Sequence, residues 1–119
     1  MDIAKQVKAL EQEFNDSVNS NGAPEKHIPD VSLSHDSGNP DLTTVQVTVP
    51  HVMDPEKPHW IEFIWIKDET SGDVVVAKAF SATDPASPSL TYSAPKGARL
   101  TPYAYCNLHG LWKGDTYLA

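Results

Sequence analysis

The amino-acid sequence predicts an all-β protein, an antiparallel β-sandwich of immunoglobulin-like type with an added N-terminal amphipathic helix. The hydrophobic period changes from helical to strand-like after the first two dozen residues, and Pro and Gly then punctuate the chain at short intervals. Many short strands with turns between them, and no second helix, favour a sandwich. The 119 residues are the size of one domain.

The first 19 residues carry the stripe of an amphipathic helix. Apolar residues recur there at spacings of three and four, namely Ile3, Val7, Leu10, Phe14 and Val18. Residues 19–22 supply a stop signal and Pro24 follows. We expect the stripe to dock on the protein's own body or on another subunit, with a partner-recognition helix as the alternative. The chain thus divides into a helical extension, residues 1–22, and a β-domain, residues 23–119.

Beyond Pro24 the hydrophobic period approaches two. The clearest strand runs from residue 43 to 49, where every second residue is valine. Residues 59–66 form another candidate, with four residues predicted to share one face: His59, Ile61, Phe63 and Trp65. Further candidates span residues 74–80, 90–93 and 99–106, and residues 30–34 are an additional possibility.

Charge and composition exclude several classes of function. The net charge is −7 and the nine basic residues are scattered, which argues against nucleic-acid binding. No apolar run approaches the roughly 20 residues of a membrane helix, and the N-terminus does not resemble a secretory signal. The single cysteine, Cys106, excludes an internal disulfide and suits a reducing compartment. We therefore expect a cytoplasmic protein that binds neither nucleic acid nor membrane.

Cys106 and His109 form the first candidate metal-binding pair. Thiolate sulfur and imidazole nitrogen are ligands that late first-row metals prefer. A strand pattern ends at Cys106, and a tight turn after it would bring the two side chains to the same side, with Gly110 supplying the positive φ or the close approach that such a turn requires. Alone, the pair is weak evidence, since a single cysteine is usually a small buried hydrophobe. Three more histidines lie beside proline or other loop-forming residues: His27, His51 and His59.

Three motifs resemble those of the superoxide reductases, the neelaredoxin and desulfoferrodoxin family. Residues 104–112, Ala-Tyr-Cys-Asn-Leu-His-Gly-Leu-Trp, are similar to the C-terminal signature of that family. Residues 25–29, Glu-Lys-His-Ile-Pro, resemble its N-terminal element. Pro50-His51 and residues 59–64, His-Trp-Ile-Glu-Phe-Ile, resemble the middle element. The three motifs occur in the family's order and span about residues 24 to 115.

The resemblance implies one iron ion held by four equatorial histidine nitrogens and one axial cysteine sulfur. Carried over motif by motif, the ligands are His27, His51, His59, His109 and Cys106. A thiolate pushes electron density onto iron, and the opposite position stays open for a small anion. The implied activity is one-electron reduction of superoxide to hydrogen peroxide. The family also implies a small redox protein such as rubredoxin as electron donor, and a homo-oligomer, either a dimer or a tetramer.

Lys26 and Glu25 have separate implied roles. In the family pattern, the lysine lies near the open coordination site and would attract the superoxide anion. The glutamate can ligate the ferric ion. Taken without the resemblance, the two are a charged surface pair of the kind that usually contributes little.

The sequence departs from the family pattern at two points. The interval between His51 and His59 is longer than in many relatives, although loops accommodate such insertions easily. The N-terminal helix is not needed by the minimal family core. In addition, one cysteine excludes the four-cysteine rubredoxin-like centre that some relatives carry, so a one-iron form is expected.

Two other functions could use the same residues. One is an iron-binding electron carrier or redox sensor without significant turnover, which would need neither Lys26 nor Glu25. The other is a structural zinc module, although such sites favour four tetrahedral ligands rather than five. The fifth histidine, His35, matches no motif and is predicted to lie in a solvated turn over residues 34–38. The tryptophans are expected to be core or metal-shielding aromatics: Trp60, Trp65 and Trp112.

Overall fold

A computed structural model describes residues 2–35 and 38–119 of the chain. Within these ranges, strands form two antiparallel sheets, one in the order β1-β2-β5 and one in the order β4-β3-β6-β7, with β8 also paired to β6. The strands are β1 (Asp30–His35), β2 (Leu42–Thr48), β3 (Ile61–Asp68), β4 (Val74–Ala79), β5 (Ser89–Pro95), β6 (Arg99–Cys106), β7 (Gly110–Lys113) and β8 (Tyr117–Leu118). The prediction of an all-β antiparallel sandwich is confirmed.

The main hydrophobic core lies between the two sheets. Alternate residues of β2, such as Val45 and Val47, are fully buried and face the second sheet, as the valine pattern predicts. Ile64 and Ile66 of β3 and Leu100 of β6 meet them from the other side. The apolar faces of the two sheets pack against each other in this core. Their packing fixes the start of β3 and the end of β6, which border the site described below.

The prediction that alternate residues from His59 to Trp65 share one face is wrong. Ile61 faces the sandwich core, whereas Phe63 and Trp65 pack on the opposite face of the sheet. The pairing of β3 with β6 shifts register between Ile61 and Phe63, which indicates a β-bulge. An extra residue at a bulge reverses the alternation of side chains, so a strict period of two fails across it.

Helix α1 (Ile3–Glu13) covers the outer face of the larger sheet. Asp2 caps it by accepting a hydrogen bond from the Ala4 amide through its side chain. The fully buried Val7 packs against Trp65, Tyr103 and Leu111 in a second apolar cluster. The stripe therefore docks on the protein's own body, which was one of the two expected arrangements.

The helix ends earlier than the apolar stripe predicts. A 3₁₀-helix (Asn15–Ser17) follows it, yet Phe14 and Val18 still join the same apolar cluster. A single-turn helix, α2 (Pro24–His27), is also present, so the expectation of no second helix is wrong. Proline begins this turn, a position where its missing N–H costs nothing. The division at residue 22 into an extension and a β-domain remains a prediction.

The remaining expectations concern the β1–β2 connection and the membrane. His35 is exposed and ends β1, while residues 36 and 37 of its predicted turn lie outside the described residues. Across the described ranges, no helix is long and apolar enough to cross a membrane.

Candidate metal centre

The structure brings together all five residues predicted as metal ligands. One ligand atom from each of them lies within 4.8 Å of the corresponding atoms of the others, and these residues are His27, His51, His59, Cys106 and His109. They come from four separate segments, namely α2, the loop between β2 and β3, the end of β6 and the β6–β7 turn. The long interval between His51 and His59 does not keep His51 out of the cluster.

Main-chain carbonyls orient two of the imidazole rings. His27 Nδ1 lies 2.8 Å from the Ala23 carbonyl oxygen, and His51 Nδ1 lies 2.6 Å from the Val52 carbonyl oxygen. An Nδ1–H that donates to a carbonyl leaves Nε2 unprotonated in the neutral ring. Both rings thus present a nitrogen lone pair to the cluster, the tautomer that metal-bound histidine usually has.

The long loop between His51 and His59 is closed on itself. The backbone amides of Asp54 and His59 each donate to the carbonyl of the other, at 3.1 Å. The Asp54 carboxylate also accepts hydrogen bonds from the amides of Glu56 and Lys57, at 3.0 and 3.2 Å. The additional residues therefore form a compact turn, and the rings of His51 and His59 stay 4.5 Å apart between centroids.

The turn after β6 brings the cysteine and the last histidine together. Gly110 has a φ of 79°, as predicted for this turn, and Cys106 Sγ lies 3.8 Å from His109 Nδ1. The backbone amides of Leu108 and His109 hydrogen-bond to the cysteine sulfur. His109 thus uses Nδ1 towards the cluster, whereas His27 and His59 point Nε2 at it, at 3.1 and 3.2 Å from His109 Nδ1.

The four imidazole rings form a square. Centroid distances between consecutive rings in the order His27, His51, His59, His109 are 4.7, 4.5, 5.0 and 4.8 Å around the circuit, and the His27–His59 diagonal is 6.5 Å. Metal–nitrogen bonds of roughly 2 Å would place neighbouring nitrogens of a square about 3 Å apart. The distances from His109 Nδ1 match that spacing. The residues therefore fit a single metal ion with four nitrogen ligands.

The histidines line a cavity that the cysteine does not. A cavity of about 620 Å³ is lined by all four histidines and by Lys26, together with apolar and small residues of the adjoining loops. Cys106 is fully buried and does not line the cavity. Glu25 is exposed on the same helical turn as Lys26 and is also not among the lining residues. One face of the square is thus accessible to a small molecule, and a lysine borders it.

Burial determines the protonation of the cluster. Desolvation lowers the pKa of His51 to about 4, and it also lowers the pKa values of His27 and His59, with the neighbouring imidazoles adding to each effect. Desolvation raises the pKa of the Cys106 thiol, against the opposing effect of the two amide hydrogen bonds. At neutral pH these three histidines are unprotonated and ready to bind a cation. A bound cation would in turn favour the thiolate.

Several supporting residues were not predicted from the sequence. The carbonyls of Ala23 and Val52 belong to this group. A Cβ on Gly22 would lie 3.2 Å from the His109 ring and 3.3 Å from the His27 ring, at a φ of 139° that favours glycine. Of these residues, only Trp112 belongs to one of the three motifs quoted above. Its ring stacks on the His27 ring with centroids 4.7 Å apart, and its indole N–H donates to the His109 carbonyl. Trp112 is fully buried, as expected for a metal-shielding aromatic.

Fold and site together define a β-sandwich protein with a cluster of four histidines and one cysteine that could hold a metal ion. The chain belongs to the desulfoferrodoxin family, because the desulfoferrodoxin family model matches residues 19–115. It is 30% identical to a putative superoxide reductase from Archaeoglobus fulgidus over 115 residues, which covers 80% of this chain and 90% of the relative. It is 35% identical to desulfoferrodoxin from Nitratidesulfovibrio vulgaris over 97 residues, which covers 81% of this chain and 67% of that protein.

Solved structures give the same assignment. A hypothetical protein from Pyrococcus horikoshii superposes with a TM-score of 0.66 at 28% identity, covering 89% of this chain and 99% of the other. The reduced form of a superoxide reductase (neelaredoxin) from Archaeoglobus fulgidus superposes with a TM-score of 0.61 at 25% identity, covering 82% of this chain and 96% of the other. The family resemblance seen in the three motifs is therefore confirmed.

The lowered histidine pKa values predict an acid-sensitive metal-free protein. A buried histidine with a lowered pKa binds its proton more weakly in the folded state than in the unfolded state, so stability falls as the pH drops below the ordinary value of 6.5. For His51 the loss should develop between pH 6.5 and about 4 and reach roughly 3 kcal/mol. Urea unfolding of the metal-free protein across this range measures it. His51→Gln should flatten the slope and His35→Gln should not; an equal slope in both variants would contradict the assignment.

Proposed function

We propose that this protein is a superoxide reductase, which adds one electron and two protons to superoxide and releases hydrogen peroxide. One observation carries the proposal: four imidazoles open onto a lysine-bordered cavity, while the cysteine sulfur lies buried behind them. That arrangement leaves room for a small anion on the side opposite the sulfur. The names of the curated relatives agree with this reaction.

In this proposal the five clustered side chains, four histidines and Cys106, would hold one iron ion. Bound iron would supply the electron, by changing between its ferrous and ferric states. The carbonyls of Ala23 and Val52 keep the His27 and His51 rings turned towards the ion. The amides of Leu108 and His109 hydrogen-bond to the sulfur and stabilise its negative charge.

Lys26 is proposed to draw the substrate in and Glu25 to bind the ferric ion. The Lys26 side chain borders the cavity, so its ammonium group places a positive charge beside the entering anion. This matters in a chain of net charge −7, whose overall field repels superoxide. Glu25 is exposed one residue earlier on the same single-turn helix, so its carboxylate would have to turn into the cavity to reach the ion.

The donor set argues against a structural zinc site. Such sites use four tetrahedral ligands, whereas five donor atoms converge here and four of them are imidazole nitrogens. An electron carrier or redox sensor needs no accessible ligand position and no lysine beside it. The open face and Lys26 favour turnover over that second function.

The remaining partners and the location follow from the same proposal. The reduced state must be restored by an external donor, for which we propose a small redox protein such as rubredoxin. A homo-oligomer, dimeric or tetrameric, and a cytoplasmic location also remain proposals.

The function is tested by mixing the reduced, iron-loaded protein rapidly with superoxide. We expect a fast change to a coloured ferric–thiolate species and the formation of one hydrogen peroxide per oxidised iron. Metal analysis of the protein after iron-replete expression accompanies the kinetics. Zinc as the sole bound metal, or an iron protein that reacts with superoxide no faster than its own metal-free form, would refute the proposal.

Replacing Lys26 by alanine should slow the reaction with superoxide by about 10-fold at low ionic strength, since local charge commonly raises on-rates by 10-fold or more. The attraction that salt screens is removed as well, so the rate of the variant should depend less on salt. Stopped-flow rates at several salt concentrations measure both effects. Lys5→Ala on α1 changes the net charge equally, at an exposed position on a different helix, and should keep the wild-type rate. If the two variants behave alike, Lys26 has no special role.

A further inference from the structure

Asn107 binds both neighbours of His59. Its side-chain Nδ2 donates to the Pro58 carbonyl oxygen at 2.7 Å, and its Oδ1 accepts from the Trp60 amide at 2.9 Å. Its own backbone amide donates to the Trp60 carbonyl at 3.2 Å. Three hydrogen bonds of Asn107 thus hold the residues immediately before and after His59.

Only a primary amide satisfies this arrangement. Pro58 offers a carbonyl acceptor and Trp60 an N–H donor, so the side chain between them must donate at one atom and accept at the other. The two bonds also fix which amide atom is oxygen and which is nitrogen. An ionised aspartate of the same shape could accept from Trp60 but would repel the Pro58 carbonyl.

The orientation of the His59 ring depends more on hydrogen bonds to its neighbouring main chain than the orientations of the His27 and His51 rings do. Those two imidazoles donate from Nδ1 to main-chain carbonyls. For the His59 ring, the one hydrogen bond found among the described residues joins Nε2 to His109 Nδ1. The direction of the His59 ring therefore depends on how its main chain is held.

We propose that Asn107 is a positioning residue that sets His59 relative to the cysteine. Asn107 follows Cys106 directly and precedes the turn to His109. Its hydrogen bonds thus tie the segment carrying Cys106 and His109 to the loop carrying the clustered residues His51 and His59. This inference rests on the proposed metal-binding role of the cluster, but it does not require that superoxide is the substrate.

The test is the affinity of the metal-free protein for Co²⁺, followed by the visible absorption of the bound ion. Asn107→Asp keeps the shape of the side chain and removes the donor to Pro58. We expect the dissociation constant for Co²⁺ to rise about 10-fold or more, because partners behind metal ligands are typically worth 10–100-fold in affinity. The Co²⁺ absorption bands should also shift, since a displaced imidazole changes the ligand field.

A double-mutant cycle separates positioning from general destabilisation. If Asn107 acts through His59, then Asn107→Asp in a His59→Ala background should change the Co²⁺ affinity by less than about 2-fold. An undiminished effect in that background, or an unchanged affinity in the single variant, would overturn the proposal.

Asn19 supplies a matched control. Its Nδ2 donates to the Lys113 carbonyl at 2.9 Å and its Oδ1 accepts from the Lys113 amide at 2.7 Å, so it makes the same pair of bonds to β7. Asn19→Asp should lower the stability of the metal-free protein about as much as Asn107→Asp does, with wild-type Co²⁺ bands. An equal band shift in both variants would show that only stability is affected. The superoxide reaction of the wild type is scored separately, so either proposal can fail alone.

Discussion

Replacing Cys106 by serine is expected to abolish the ferric–thiolate absorption and to reduce the rate of superoxide reduction at least about 100-fold. Substitutions behind a metal ligand already cost 10–100-fold, and here the sulfur itself is removed. A serine hydroxyl at neutral pH donates far less electron density to iron than a thiolate does. Optical spectra of the oxidised protein and stopped-flow mixing with superoxide measure the two losses.

The fold should survive this substitution. Cys106 is fully buried, and serine is close to it in size, so the Leu108 and His109 amides retain an acceptor. We expect the free energy of unfolding of the metal-free variant to change by about 1 kcal/mol, a typical value for a point mutation. His35→Ala, at an exposed histidine outside the cluster, should leave iron content and spectrum unchanged. If Cys106→Ser keeps the charge-transfer band, the sulfur is not a ligand.

Much of the site could be predicted because its signals are local in sequence. The strand ending at Cys106, the three-residue interval to His109 and the following Gly110 together specify a tight turn, which the structure contains. His27 was assigned through its motif, and proline one turn earlier begins the short helix that carries it. The convergence of these segments depends on the whole sandwich, so only the family resemblance could indicate it.

Features that depend on the main chain or on pairing between strands could not be predicted. The carbonyls of Ala23 and Val52 orient two imidazoles, yet any residue supplies a carbonyl, so the sequence carries no trace of them. The bulge between Ile61 and Phe63 arises from pairing with β6 and reverses the predicted face of β3. Strand β7 is only four residues long and was not predicted.

The N-terminal helix gives the second large effect. Val7→Asp would place a carboxylate where no solvent reaches, among Trp65, Tyr103 and Leu111. An unpaired buried charge costs several kcal/mol, which we take as about 3–5 kcal/mol of the free energy of unfolding. Domains of this size are stable by only about 5–15 kcal/mol, so much of the stability should be lost. Urea unfolding followed by near-ultraviolet circular dichroism measures the change, because the stacked rings of Trp65 and Tyr103 lie under the helix.

A control on the same helix distinguishes burial from charge and from helix propensity. Ala9 is exposed on α1, and Ala9→Asp adds the same charge. Ala9→Asp should lower the free energy of unfolding by no more than about 0.7 kcal/mol, the range of helix propensity for ordinary residues. Equal losses in the two variants would mean that the apolar face of the helix contributes little. The helix covers the outer face of the sheet, whereas the histidine–cysteine cluster lies at the strand ends. Val7→Asp should therefore keep the wild-type ferric–thiolate spectrum at temperatures where it remains folded.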